Sequence, residues 1–127
     1  MTSGPRILLI EDGETYAALA TMLLGAIGCT VVRAKTAEDG LRLAREEPPD
    51  LILMDLNLPR MDGYTAVREL RQDRRTRRIP TVALSADPLA SEEEQGRARD
   101  AGFDASHEKP IDKAAFRAIV EPFLKAR

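Results

Sequence analysis

Three acidic residues of this chain stand directly after short apolar runs, where a parallel sheet would bring them together. Glu11 and Asp12 follow the apolar run 7–10, and Asp55 follows the apolar run 51–54. The carboxyl ends of the strands are where open α/β sheets place their chemistry. Since a single acid after a strand is usually a turn or helix-capping residue, the prediction rests on several such positions converging on one edge.

Three carboxylates within a few ångströms of one another can all stay ionised only beside a cation, unless one is protonated. A hard divalent ion such as Mg²⁺ prefers oxygen ligands and accepts a few protein carboxylates. It could also hold a phosphoryl group against the site, and a carboxylate can itself be the nucleophile that forms an aspartyl phosphate. Lys109 and Ser85 follow the predicted fifth and fourth strands, where an ammonium and a hydroxyl would complete the contacts to phosphate.

The elements that would position these side chains can be read from the apolar periodicity. Five strands are predicted, at residues 6–10, 30–32, 50–54, 79–84 and 103–108. Helices are predicted at 14–27, from 36 to before Pro48, at 64–72, from 91 to 102, and from 112 onward.

Several residues mark the predicted helix ends and cores. Thr36, Ser91 and Asp112 are suited to N-caps, and Gly28 and Gly102 to helix termination. Apolar residues at helical spacing predict the buried faces; these are Leu19, Leu23, Ile27, Val67, Leu70, Phe116, Ile119, Val120 and Phe123.

Strict alternation of strands and helices predicts an α/β fold with a parallel sheet covered on both faces. Right-handed crossovers leave few topologies, and a five-strand chain fits the flavodoxin-like (βα)5 doubly wound arrangement with strand order 2-1-3-4-5. Strands 1 and 3 would then be neighbours, which would bring Glu11, Asp12 and Asp55 to one point.

Composition narrows the class of protein. A chain of 127 residues fits one domain, 1–127, and we expect no output domain because the chain ends just after the last predicted helix. No apolar stretch approaches the roughly 20 residues of a membrane span, and the N-terminus lacks the apolar core of a secretory signal. With a single cysteine, Cys29, these features favour a cytoplasmic protein. The net charge of −2 argues against direct nucleic-acid binding, and a cluster of arginines at 68–78 is by default a solvated face.

Four blocks of sequence, taken together, resemble the receiver domain of two-component response regulators over essentially the whole chain. The first is the apolar run ending in Glu11 and Asp12, and the second surrounds Asp55. The blocks are ILLIED at 7–12, DLILMDLNLPRMDG at 50–63, PTVALSA at 80–86, and GFDA at 102–105 leading to Lys109 and Pro110.

The resemblance implies that Asp55 accepts a phosphoryl group from a phosphorylated histidine of a sensor histidine kinase or a histidine phosphotransfer protein. Glu11, Asp12 and Asp55 would bind Mg²⁺, with the backbone carbonyl of Asn57 as a further ligand. Many relatives have Asp at the first of these positions, but Glu still supplies oxygen ligands.

The resemblance also implies the contacts of the phosphoryl group. Lys109 would balance its charge, and Ser85 would hydrogen-bond one of its oxygens and draw its own loop inward. Pro110 would follow a cis peptide bond that orients Lys109.

Two positions depart from the family pattern or stand outside it. Ser106 lies three residues before Lys109, where many relatives carry an aromatic residue that swings inward on activation. Signal output would then travel through the loop after Ser85. His107 is the single histidine, and a strand histidine without a functional role is its default interpretation.

The resulting hypothesis is a stand-alone receiver that signals by docking to a downstream protein and is not an enzyme in the usual sense. A phosphorylation-independent binding module with the same fold is the alternative. A phosphatase of the haloacid-dehalogenase type would need a second aspartate where Asn57 stands. Flavin binding would need a phosphate loop where Glu11 and Asp12 stand.

Overall fold

The chain folds as an alternating α/β domain in a computed structural model that describes residues 4–85, 92–109 and 111–124. The strands are β1 (Arg6–Ile10), β2 (Thr30–Ala34), β3 (Leu51–Asp55), β4 (Thr81–Ser85) and β5 (Ala105–Glu108). The helices are α1 (Glu14–Ile27), α2 (Ala37–Glu46), α3 (Gly63–Gln72), α4 (Glu92–Ala101) and α5 (Lys113–Leu124). Every strand pair is parallel and the order is β2-β1-β3-β4-β5, which confirms the predicted fold.

The sheet is covered on both faces by separate apolar layers. Alternate residues of a strand point to opposite faces, so Ile52 and Met54 join the layer beneath α2, α3 and α4, while Leu51 and Leu53 join the layer beneath α1 and α5. All five residues of β3 and of β4 are buried. Unbroken apolar strands are typical of a sheet enclosed on both sides.

Local signals place the helix ends largely as the sequence predicts. The Thr36 hydroxyl accepts a hydrogen bond from the Asp39 N–H at 3.1 Å, and the Asp112 carboxylate accepts one from the Ala115 N–H at 2.8 Å. Gly28 ends α1 with a φ of 107° in the left-handed region, where glycine is favoured. The predicted cap Ser91 lies outside the described residues.

The predicted buried face of α1 is wrong in part. Leu19 is 40% exposed, and the fully buried side of the helix is formed by Ala17, Ala20 and Leu24. The helix therefore turns Ala17, Ala20 and Leu24 toward the apolar layer beneath it, and Leu19 lies outside that face.

Two strands begin two residues later than predicted. Pro80 has no N–H to donate to a ladder, and β4 starts at Thr81. Phe103 donates its N–H to the Ala98 carbonyl at 3.0 Å, which completes the end of α4, so β5 starts only at Ala105.

The arginines of the cluster at 68–78 differ in the contacts that they make. Arg71 turns inward and donates to the carbonyls of Gly102 and Ile79 at 2.9 and 2.8 Å, and Arg75 pairs with Asp73 at 2.9 Å. The other arginines of the cluster are exposed. Within the described residues, none of the helices has the length and apolar character needed to cross a bilayer.

Candidate functional site

The register of the parallel strands brings the predicted acids to the same level of the sheet. Ile10 pairs with Met54, so the next residues, Glu11 just after β1 and Asp55 at the end of β3, lie at the same level of the sheet. Asp55 is itself the last residue of β3, one position inside the strand relative to the prediction. Both carboxylate residues are nearly inaccessible, with 3% of Glu11 and 4% of Asp55 exposed.

Each acid is anchored by backbone N–H groups close to it. One oxygen of Glu11, Oε2, accepts the Gly13 N–H at 3.0 Å, and the Glu11 N–H donates to the Ala34 carbonyl at 3.0 Å. In the same way Oδ1 of Asp55 accepts the Asn57 N–H at 3.0 Å. These bonds leave the second oxygen of each carboxylate available to other groups.

The three predicted acids form a single cluster. Glu11, Asp12 and Asp55 each offer one carboxylate oxygen, and these oxygens all lie within 4.8 Å of one another. Asp12 is half-buried, so the cluster is open to solvent on that side. Three converging carboxylate oxygens with open positions toward water fit Mg²⁺, which takes few protein ligands and keeps several waters.

Lys109 supplies the positive charge at the cluster. Its Nζ lies 2.6 Å from Oε1 of Glu11 and 3.5 Å from Oδ2 of Asp55, with 13% of the side chain exposed. The Lys109 N–H donates to the Ser85 carbonyl at 2.7 Å, which ties the end of β5 to the end of β4. Ser85 is buried at 3% exposure beside this bond.

An arginine of β2 braces the loop that carries the first two acids. The Arg33 Nε donates to the Glu11 carbonyl at 2.9 Å, and its second nitrogen contacts Glu14 at 3.2 Å. Lys35 also pairs with Glu14 at 3.2 Å, and the two cations hold the pKa of the Glu14 carboxyl below its usual range. The loop between β1 and α1 is thereby held in place from the side of β2.

Tyr16, in the first turn of α1, was not foreseen as part of the site. Lys109 Nζ lies over its ring, 4.4 Å from the centroid. Burial raises the pKa of Tyr16 to about 12, and the charges of Glu11 and Asp55 act in the same direction. An aromatic residue four positions after Asp12, at the start of a helix, is the signal from which it could have been found.

The remaining predicted residues have the following positions. Asn57 is exposed, and its N–H is the group seen to contact Asp55, so the ligand role of its carbonyl stays a prediction. Ser106 is half-buried on β5 and pairs with Ala83. His107 is partly buried, and this burial lowers its pKa. Pro110 lies outside the described residues, as do residues 86–91.

Comparison with known proteins agrees with this geometry. A family model described as the response regulator receiver domain matches residues 7–121. The polar-differentiation response regulator DivK of Brucella ovis is 35% identical over 118 residues, which span 93% of this chain and 94% of that protein.

Solved structures of other proteins have the same fold. One is the receiver domain of the sensor histidine kinase PA1611 from Pseudomonas aeruginosa, which has a magnesium ion coordinated in its active-site cleft. It has a TM-score of 0.87 and 32% identity, covering 96% of this chain and 98% of that one. The chemotaxis response regulator CheY4 of Vibrio cholerae has a TM-score of 0.87 at 21% identity, covering 94% and 98%, and supports the fold alone.

Proposed function

Since the chain belongs to the response regulator receiver domain family, we propose that it accepts a phosphoryl group on Asp55 and then signals by docking to a downstream protein. The donor would be a phosphohistidine of a histidine kinase or of a histidine phosphotransfer protein. The observation that carries this proposal is the convergence of a buried nucleophilic carboxylate, two further acids and a lysine at one end of the sheet.

The transfer follows from the groups at the site. A carboxylate oxygen of Asp55 attacks phosphorus, a new O–P bond forms, and the N–P bond of the donor histidine breaks. The bonding electrons leave with the imidazole nitrogen. Lys109 lies 3.5 Å from the Asp55 carboxylate, so its ammonium can move to the phosphoryl oxygens and balance their charge. The Ser85 hydroxyl donates to one of those oxygens.

A divalent ion fits the same residues. The carboxylates of Glu11, Asp12 and Asp55 would hold Mg²⁺ together with the Asn57 carbonyl, and the ion would neutralise charge on the phosphoryl oxygens. The magnesium ion in the cleft of the Pseudomonas aeruginosa relative supports this assignment.

The aspartyl phosphate would be removed by water, which attacks phosphorus and releases inorganic phosphate and the free carboxylate. The protein would therefore return itself to the starting state without acting as an enzyme on a small substrate. We propose that this cycle takes place in the cytoplasm. We also propose that the chain acts as a single domain.

Output in this protein would not use a buried aromatic residue of β5. Ser106 occupies the position where relatives carry one, and its small side chain offers no ring to exchange between two rotamers. The Ser85 end of β4 and the loop that follows would carry the change toward α4.

A phosphorylation-independent binding module is the second candidate, and one observation favours it. The Lys109–Glu11 contact of 2.6 Å already neutralises part of the acid cluster without a metal ion or phosphate. A protein that used only its surface could retain this pair as a structural feature.

Intact mass spectrometry separates the two functions. The protein is incubated with Mg²⁺ and acetyl phosphate, or with a phosphorylated histidine phosphotransfer protein, and weighed. One labile phosphoryl group that is absent from Asp55→Asn and retained in Asp50→Asn, at the opposite end of β3, is the expected result. A wild-type protein that takes no label from either donor would leave the binding module as the function.

A further inference from the structure

The described residues place three groups beside the Lys109 ammonium, and two of these groups have other roles in the proposed function. Those two are the carboxylates of Glu11 and Asp55, at 2.6 and 3.5 Å. The third is the ring of Tyr16, whose centroid lies 4.4 Å from Nζ. Among the described contacts of this ammonium, the ring is the one that neither metal binding nor phosphorylation would use.

The aromatic ring is suited to hold a cation in this place. The face of a phenol ring carries negative charge density that attracts an ammonium, and the attraction is stronger where both groups are withdrawn from water. Lys109 is 13% exposed, and Tyr16 packs partly buried against the apolar layer beneath α1 and α5. The ring is held in position by the helix, whereas the lysine stem is flexible.

The hydroxyl of Tyr16 contributes differently from the ring. It is buried, and it has no hydrogen-bond partner among the described residues. A buried donor without a partner lowers stability and would not be retained for packing. The ring is therefore the part of the side chain that has a described contact with Lys109, and a phenylalanine ring would supply the same contact.

We propose that Tyr16 is a positioning residue for Lys109, whose ring keeps the ammonium directed at Asp55 when Glu11 is engaged by a cation. This inference rests on the proposed function, because the benefit is measured in phosphoryl transfer to Asp55. Without the ring, the lysine would spend more time in orientations that leave the phosphoryl oxygens uncompensated.

The test compares variants that keep or remove the ring face. Tyr16→Leu and Tyr16→Met remove it, Tyr16→Phe keeps it, and Tyr64→Leu removes a second tyrosine that carries its own cation contact, with Arg97 at 4.9 Å. Circular dichroism and thermal unfolding establish which variants are folded.

The first measurement needs neither metal nor phosphate. In the metal-free protein, the ring should shift the NMR resonances of the Lys109 protons next to Nζ upfield. Tyr16→Phe and Tyr64→Leu should keep this shift, and Tyr16→Leu should lose it. A shift that persists in Tyr16→Leu would overturn the contact on which the inference rests.

The second measurement is the rate constant of phosphorylation by acetyl phosphate with Mg²⁺. Tyr16→Leu and Tyr16→Met should be roughly 3- to 30-fold slower than wild type, the range that a cation–π contact supports. Tyr16→Phe should restore the rate, and Tyr16→Leu should have no further effect in a Lys109→Ala background, because the two residues act as a pair.

The results that would contradict this inference differ from those that would contradict the proposed function. If wild type is phosphorylated and Tyr16→Leu reacts equally fast, or Tyr16→Phe is as slow as Tyr16→Leu, the positioning role of the ring is wrong and the function stands. If wild type takes no phosphate from any donor, the proposed function fails and this inference fails with it.

Discussion

Lys109 and Glu11 stand 98 positions apart in sequence, and their side chains meet at 2.6 Å across the end of the sheet. The contact joins the residue after β5 to the residue after β1, over the carboxylate of Asp55 on β3. The lysine therefore offsets part of the negative charge of the acid cluster. Several consequences of that arrangement can be measured.

Removal of the lysine charge should destabilise the metal-free protein. Lys109→Ala leaves the buried carboxylates of Glu11 and Asp55 without their cation, which should lower the free energy of unfolding by about 3 kcal/mol. Urea denaturation at neutral pH with a chelator measures the change. Lys113→Ala, on the exposed start of α5, is the matched control and should be close to neutral. Equal loss in both variants would mean that the buried pair has no special role.

Magnesium should raise the stability of the wild-type protein. A ligand that binds only the folded state at 100 times its dissociation constant adds about 2.7 kcal/mol to the free energy of unfolding. Thermal unfolding with increasing Mg²⁺ should show a rising midpoint that Asp12→Ala abolishes. Glu46→Gln changes an exposed acid at the end of α2 and should keep the response. A midpoint that does not respond in wild type would contradict the metal site.

Two glycine substitutions should act in opposite directions. A Cβ at Gly63 would lie 3.0 Å from the Leu56 Cα and 3.2 Å from the Asp55 carbonyl, so Gly63→Ala should push α3 away from the end of β3. The expected loss is about 1–3 kcal/mol, with slower phosphorylation because Asp55 moves. Gly25 lies inside α1, and a Cβ there meets nothing within 4 Å, so Gly25→Ala should stabilise by about 0.5–1 kcal/mol. Chemical denaturation checks both, and a harmless Gly63→Ala would refute the close packing.

The pH dependence of stability should carry a contribution from His107. Burial lowers its pKa below the ordinary 6.5, so the folded protein resists protonation of a group that the unfolded chain protonates readily. The unfolded state then binds more protons below pH 6.5, and stability should fall as the pH decreases through that value toward the lowered pKa. Above it the contribution of His107 is constant.

The comparison for that prediction is His107→Gln, with unfolding measured from pH 8 down to pH 5. As the pH falls, the unfolding free energy of the wild type should decrease more than that of His107→Gln. An unchanged difference over the whole range would show that the histidine titrates alike in the folded and unfolded chain.

Local sequence was enough to predict much of this structure. The capping residues Thr36 and Asp112 and the terminating Gly28 act through hydrogen bonds and dihedral angles within a few residues of themselves, so their effect can be read without the fold. The same holds for the apolar alternation that separates the two faces of the sheet. The predicted start of β5 is wrong because the Phe103 N–H donates to a carbonyl at the end of α4 and does not join the sheet.

The side-chain environments around the site and along α1 could not be predicted in this way. Leu19 lies at helical spacing with Leu23, yet the buried face of α1 is formed by Ala17, Ala20 and Leu24, because the packing of the helix against the sheet decides which of its sides is covered. The sequence likewise did not indicate which acid Lys109 contacts, because its flexible side chain could reach several of them.

By itself the sequence determined which reactive side chains this protein has and at which edge of the sheet they would lie. Alternation predicts a parallel sheet, and in the order 2-1-3-4-5 that fits five strands, the acids after the first and third apolar runs meet. Only the tertiary structure decided that Lys109 rests on Glu11 and that the ring of Tyr16 lies beneath its ammonium. These contacts join α1, β1 and the end of β5, and such distances depend on how the elements pack, which no local pattern of residues encodes.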